Sequence, residues 1–478
     1  MPRILDETYV LPPRPATETA IHWLCACLRA DIQSGRLGPG ARLPSSRYLA
    51  DQADIARGTV VAALEQLQAE GYLVTRSRSG TYVAGRATAA ATRATRETRP
   101  RIAAVASRLE PFMRFTAVRQ AFATNLPAVD LFPAALWARV AARRVRRASM
   151  RDLTGCDVLG YPPLREAVAD YLRRARGVNC TSEQVVIVTG VQEALATIAR
   201  LLVNPGERVL MEDPGYTGAL RAFAAAGARV GFVPVDDDGM KIPPRSGAPR
   251  CAYVTPAHQF PLGSTMTYAR RVALLDWARA IGAFIIEDDY DSEYRYARQP
   301  LPALQGLDTH GRVIFTGSFN KLLFPALRLG YVVVPPSLID PLAALRSAMG
   351  AHTPLLDQAV LCDFVAEGHL FRHVRRMRRI YASRRAALVE AVDRRLRGIL
   401  LLSTTEAGLQ VPARLLVPLD SQTVATAAAE HHVAVSPLSW YARRSLPYDG
   451  LVMGFAPVDE REIRGGITRL AQTFERLL

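Results

Sequence analysis

Only two of the chain's 60 basic residues are lysines, Lys241 and Lys321, and all the others are arginines. Arginine supplies positive charge as well as lysine does, but it cannot form a Schiff base at neutral pH. A retained lysine is therefore a candidate nucleophile. Lys321 ends the run VIFTGSFNK, with Ser318 before it and Arg328 after it. Upstream, FIIEDDY carries Asp288 and Tyr290, and EDPGY carries Tyr216. Gly190, Val191 and Gln192 join the apolar VVIVT to the helical run EALATIARLL, so a helix N-terminus there would offer its N–H groups to an anion.

These residue types answer the separate demands of pyridoxal phosphate. That cofactor needs an amine to hold it, a carboxylate to keep its pyridine nitrogen protonated, dense donors for its phosphate and an aromatic face. Lys321 is the candidate Schiff-base residue and Asp288 the partner of the pyridinium. Tyr290 is placed for the ring hydroxyl, and Tyr216 for stacking. Gly190, Val191, Gln192, Ser318 and Arg328 are the candidate phosphate donors. Taken singly each signal is weak: a lone DDY is commonly a solvated loop, and a glycine before a helix commonly a turn. Their order and spacing carry the reading.

The elements that must position them are strands alternating with helices. Apolar runs occur at 185–188, 208–211, 229–235, 252–255, 284–287, 313–316 and 331–334. This predicts an α/β fold with a mostly parallel seven-stranded sheet covered on both faces, in a domain spanning 119–478 with a smaller C-terminal lobe. Each candidate stands at the carboxyl end of a predicted strand, where open α/β sheets bind ligands.

The N-terminal residues 15–84 read as a winged helix-turn-helix. Ile21, Leu24, Leu28 and Ile32 recur at helical spacing, and Gly35 ends that helix. Ser45 or Ser46 caps a short second helix, and Asp54 occupies the bend. A third helix runs from about Arg57 to Glu70 with Val60, Leu64 and Leu67 inward, before the hairpin YLVTRSRSGTYV. Arg57 and Thr59 open the recognition helix, Arg47 is placed for a phosphate, and Arg76, Arg78 and Gly80 form the wing. Double-stranded DNA is the expected partner; the simpler reading is a helical domain with a solvated basic face. Residues 85–118, rich in Ala, Thr and Arg, read as a basic linker.

The bulk properties agree. A formal charge of +16 and a pI near 10.0 suit an acidic partner. With 49% hydrophobic and 22% charged residues, wholesale disorder is excluded. No apolar run reaches bilayer length and the first residues lack a signal pattern, so a cytoplasmic protein with no membrane partner is expected. The six cysteines form no CxxC pair, and Cys25 and Cys27 fall within a helical pattern, which favours structural roles over a metal site.

The stretches IQSGRLGPGARLPSSRYLA, ARGTVVAALEQLQAEGYL and SGTYV closely resemble the GntR-type winged helix, with Ala56 where a serine is more usual. SFNKLLFPALRLG resembles the lysine motif of fold-type I aminotransferases. With GYPPLREAVADYLRRARGV, TGVQEAL, EDPGYTG, TPAHQFPLG and EDDYDSEY, the whole chain resembles the MocR/GabR/PdxR branch of the GntR regulators. The resemblance implies a homodimer with cofactor pockets near the dimer interface, and it places His258 at the pocket border; a structural histidine is the alternative.

Against the aminotransferase pattern, Val452 stands where an arginine would clamp a substrate carboxylate, and Gly218 where a GABA-sensing relative would carry one. Arg414 or Arg443 is a possible substitute. LTGCDVLG also lacks the tyrosine expected near position 155. The arginine runs at 139–147 and 372–385 read as solvated helix faces, or alternatively as further DNA contacts. The sequence thus predicts a transcription regulator whose cofactor domain senses an amine, an amino acid or the cofactor itself. Its rivals are a working transaminase with an accessory DNA-binding domain, and a regulator that keeps the fold only as a scaffold.

Overall fold

The computed structural model describes residues 9–15, 18–76, 80–84, 103, 106, 120–296, 302–404, 407–444, 446 and 448–478. The predicted linker, apart from residues 103 and 106, and Arg78 on the wing lie outside them. The chain divides between residues 101 and 102 into two compact units.

In the first unit, α1 (Ala20–Gln33) packs on α3 (Arg57–Ala69), with α2 (Ser46–Ala53) between them in sequence. Leu24, Leu28 and Ile32 are buried as the spacing predicts, but Ile21 is 38% exposed because Trp23 takes the inward place in that first turn. Ser45 is the cap of α2, its Oγ accepting from Tyr48 N–H at 3.2 Å. Asp54 ends α2 in the left-handed region, at φ 50°, as the short polar side chain allows. Strands β1 (Leu73–Arg76) and β2 (Gly80–Val83) pair antiparallel from Leu73↔Val83 to Arg76↔Gly80.

The second unit holds an eight-stranded sheet in the order β3-β10-β9-β8-β7-β4-β5-β6. Its strands are β3 (Val185–Val188), β4 (Arg208–Asp213), β5 (Arg229–Asp236), β6 (Gly239–Met240), β7 (Cys251–Val254), β8 (Phe284–Asp289), β9 (Val313–Ser318) and β10 (Gly330–Val333). Seven coincide with the predicted runs; the eighth, β6, is a two-residue strand turned back on β5. The pairs from β5 through β4, β7 and β8 to β9 are parallel, whereas β10 runs antiparallel to both its neighbours.

Both faces are covered, which explains the unbroken apolar runs. We number the helices of this unit on from α3. The first four are α4 (Ala134–Arg146), α5 (Met150–Thr154), α6 (Pro162–Arg176) and α7 (Val191–Leu202). Next come α8 (Thr217–Ala225), α9 (Tyr268–Ile281), α10 (Ile339–Met349), α11 (Leu355–Ala366) and α12 (His369–Arg395). On one face Leu195, Ile198 and Phe223 of α7 and α8 meet Val186, Val209 and Met211; on the other Leu274 and Trp277 of α9 meet Leu210, Ala252 and Ile285. Beyond α12, strands β11 (Leu400–Leu402), β12 (Gln410–Leu415), β13 (Ser436–Pro437) and β14 (Gly450–Gly454) form a four-stranded sheet in the order β11-β12-β14-β13. It is accompanied by α13 (Ser421–Glu430) and α14 (Glu460–Leu477), and α14 packs Ile463, Ile467 and Phe474 into the same core as Leu388 and Val392 of α12. This is the smaller lobe.

Candidate cofactor pocket and DNA-reading face

Lys321 lies in the connection from β9 to the reversed β10. Its Nζ donates to Asn125 Oδ1 at 3.0 Å and stands 4.2 Å from the centre of the Tyr290 ring. Burial lowers its pKa from the usual lysine value, opposed by the charges of Asp291 and Asp288. Lys241, by contrast, is exposed. Asn125, which nothing in the sequence singled out, sits at φ 63° with its N–H bonded to Gln410 Oε1 of β12 at 3.1 Å.

Asp288 is buried near the end of β8 between the two strands that flank it. It accepts from Tyr253 Oη of β7 at 2.6 Å and from Thr316 Oγ1 of β9 at 3.2 Å. Burial pushes its carboxyl up to about 6, against the lowering effect of the Tyr253 bond and of Lys321. A carboxylate held in this state gains most from a cationic partner.

The phosphate candidates converge. Gly190 caps α7 at φ 82°, and a Cβ there would lie 3.4 Å from Asn320 Nδ2 and 3.9 Å from Arg328 Cζ. The helix N-terminus, the Arg328 guanidinium and the Asn320 amide thus face a common space. Asn320 Oδ1 is buried there without a hydrogen-bond partner. Ser318 Oγ accepts from Asn320 N–H at 3.2 Å, and Gln192 Nε2 bonds Gly218 O at 3.0 Å. Arg328 itself is exposed and left-handed, at φ 53°.

Aromatic rings wall the other side. Phe260 meets Tyr216 (5.7 Å), Tyr290 (5.8 Å) and Tyr441 (5.0 Å) edge to face. His258 stacks on Tyr290, and its Nδ1 lies 3.0 Å from Tyr290 Oη and 2.9 Å from Asp291 Oδ1, while its Nε2 is buried without a partner. The structure therefore brings Lys321, Asp288, Tyr290, Tyr216 and His258 together, with Gly190, Ser318 and Arg328 at one end. Sequence reasoning missed Asn125, Tyr253, Asp291, Thr316 and Tyr441. The donor set fits pyridoxal phosphate: an enclosed amine of lowered pKa, a buried carboxylate of raised pKa, and N–H and guanidinium donors at a helix terminus.

In the first unit, Arg57 is the first residue of α3 and its Nε donates to Ser46 Oγ of α2 at 3.2 Å. Arg47 and Arg57 are exposed and Thr59 is half-buried. Arg76 stacks on Tyr82, 4.9 Å from the ring centre. Gly80 closes the hairpin opposite Arg76, and a Cβ on it would come within 3.0 Å of Arg42 Nε, which adds an unforeseen cation to the wing.

Two family descriptions match this chain. Residues 24–83 match bacterial regulatory proteins of the gntR family, and residues 121–446 match aminotransferase class I and II. A protein described as the probable rhizopine catabolism regulatory protein MocR, from Rhizobium meliloti, is 41% identical over 454 residues, covering 94% of this chain and 92% of its own. The chain belongs to the MocR-type branch of the GntR regulators. The HTH-type pyridoxine biosynthesis transcriptional regulator PdxR of Corynebacterium glutamicum is 32% identical, over 91% of this chain and 92% of its own. A crystal structure of Pyrococcus horikoshii kynurenine aminotransferase superposes with a TM-score of 0.69 at 28% identity, covering 76% of this chain and 92% of that one. A MocR-type regulator thus joins a DNA-binding GntR domain to an aminotransferase fold whose family uses pyridoxal phosphate. No helix among the described residues is long and apolar enough to cross a membrane.

For this MocR-type chain, both missing arginines have a structural account. Val452 is fully buried in β14, paired with Pro412 and Ser436. Any side chain at Gly218 would run into the ring of Tyr216. Of the two substitutes, Arg414 stacks on Tyr448, 5.3 Å from its ring centre. Arg443 follows Tyr441 on a segment fastened to the sheet, where the N–H groups of Arg443 and Arg444 donate to Asp213 at 2.8 and 3.1 Å. Gly155 follows the capping-box helix α5, in extended backbone.

Proposed function

We propose that this regulator binds operator DNA through its winged helix, as a homodimer, and holds pyridoxal phosphate on Lys321 to sense an amine or amino acid, or the cofactor itself. The observation that carries the reading is the enclosure of Lys321 Nζ over Tyr290, beside the buried carboxylate of Asp288. Bound there, the cofactor supplies an aldehyde that takes primary amines covalently, from Lys321 or from an effector. Asp288 holds the pyridine nitrogen protonated, and Tyr253 and Thr316 keep its oxygens aimed. Arg328, Ser318 and the N–H groups of Val191 and Gln192 bind the phosphate. Tyr216 covers one face of the ring, and Tyr290 donates to its hydroxyl. With Val452 and Gly218 uncharged, the pocket lacks the usual clamp for a substrate carboxylate, which favours sensing over turnover.

An effector alters DNA affinity only if it binds two conformations unequally. The experiment compares purified wild type with Lys321→Ala. Visible absorbance present in the first and absent from the second supports the cofactor reading, and no difference overturns it. Rapid transamination of common amino acids, with no salt-sensitive operator binding, would favour the enzyme instead.

A further inference from the structure

Asp291 is buried directly beyond Tyr290, in a chain segment rich in acids, yet it takes no part in the cofactor contacts proposed above. Its Oδ1 lies 2.9 Å from His258 Nδ1, and its Oδ2 accepts from Leu409 N–H at 3.3 Å. Gly408 seals the pair. At φ 78°, a Cβ on it would come 2.3 Å from His258 Cε1 and 2.5 Å from Asp291 Oδ2, so only glycine lets the lobe's main chain close over them.

An ionised carboxylate accepts and never donates, so beside Asp291 the imidazole carries its proton on Nδ1. Tyr290 Oη, 3.0 Å from that nitrogen, then shares the same proton as acceptor and keeps its own hydrogen for another partner. Without Asp291, the neutral imidazole is free to take the other tautomer and draw the tyrosine proton to Nδ1 instead.

We infer that His258 and Asp291 are a positioning pair, which holds Tyr290 as a donor under Lys321 and sets a negative charge that favours the protonated Nζ. The inference rests on the reading of Lys321 as the cofactor lysine. Among the described residues, the charged groups around the pair include Lys321, Asp288 and Asp289 at the end of β8, Glu212 of β4, and Arg295, which feels the charge of Asp291. Asp291 stands ahead of Asp288 among the charges that raise the Lys321 pKa.

The test is a pH titration of the visible spectrum of the cofactor-loaded full chain. Asp291→Asn should lower the apparent pKa of the visible band by about one unit, a tenfold shift in the protonation equilibrium. His258→Gln keeps the Asp291 charge and releases only Tyr290 from its donor role, so it should move the pKa upward, and in the Asp291→Asn background it should add little, because the two act as one unit. His258→Gln carries the test alone should Asp291→Asn not fold. An unshifted pKa in a folded, cofactor-loaded variant would overturn the inference while leaving the cofactor reading intact. A wild type with no visible band that Lys321→Ala loses would overturn both.

Discussion

The ring of Tyr216 folds back over the main chain of Gly218, so closely that a Cβ on Gly218 would stand 2.4 Å from its Cζ and 2.5 Å from its Oη. Position 218 is thereby committed to glycine for as long as the phenol occupies this place. Gly218→Ala should expel the Tyr216 ring from the pocket wall and weaken pyridoxal-phosphate binding by about tenfold through lost stacking. Equilibrium titration of the cofactor against the variant checks this, and unchanged affinity would show that Tyr216 does not cover the ring.

Asp288→Ala removes the only carboxylate bonded by both Tyr253 and Thr316 among the described residues. Its replacement leaves the pyridine nitrogen unpaired in a buried site, at a cost of about 2–3 kcal/mol in cofactor affinity, or some 30- to 150-fold. Dialysis against cofactor-free buffer followed by absorbance should show faster loss than in wild type.

Installing the missing clamp should fail. Val452→Arg puts a guanidinium into a fully buried strand position between Pro412 and Ser436, with no acid bonded across either pair. An unpaired buried charge costs upwards of about 3 kcal/mol. Thermal unfolding should register a large loss of stability, and no gain in transamination should follow.

Arg57→Ala should weaken operator binding several-fold and reduce the salt dependence of log K by about one, as loss of a phosphate contact does. The visible spectrum should be unchanged. A mobility-shift series at several salt concentrations reads both quantities.

Glu212 and Glu287 are fully enclosed, and burial pushes each up to about 7 from an ordinary 4.5. Because the folded pKa lies above the unfolded one, the folded state keeps a proton that the unfolded chain has released. The stability this contributes is complete below about pH 4.5 and is lost as pH rises to about 7, at up to about 1.4 kcal/mol per pH unit for each group. Denaturant midpoints of the large unit should therefore fall between pH 5 and pH 7, and Glu212→Gln should flatten that slope.

What was legible in the sequence was whatever depends on local pattern. The strand runs were readable because both sheet faces are covered, and Lys321 and Asp288 because each is a distinctive residue type at a strand end. Asp54 announced its bend because few residues tolerate that backbone. The hidden part depends on contacts between distant segments. Asn125 reaches Lys321 across 196 positions, and Tyr253 reaches Asp288 from a neighbouring strand. Gly408 is one glycine among 32 until the fold lays it on His258. Ile21 was misplaced because a helical period fixes which residues share a face, but not which neighbour wins the inward place at a helix end.

The contrast between enclosed Lys321 and exposed Lys241 bears on stoichiometry. Aldehydes label surface amines indiscriminately, and most chains of this length would offer dozens of lysine side chains as decoys. This chain offers one besides its pocket lysine. A cofactor aldehyde titrated into the protein should therefore saturate near one adduct per chain, with almost no background to subtract. If the regulator reports the occupancy of that one site, as proposed, the arginine-for-lysine exchange across the surface keeps the readout clean.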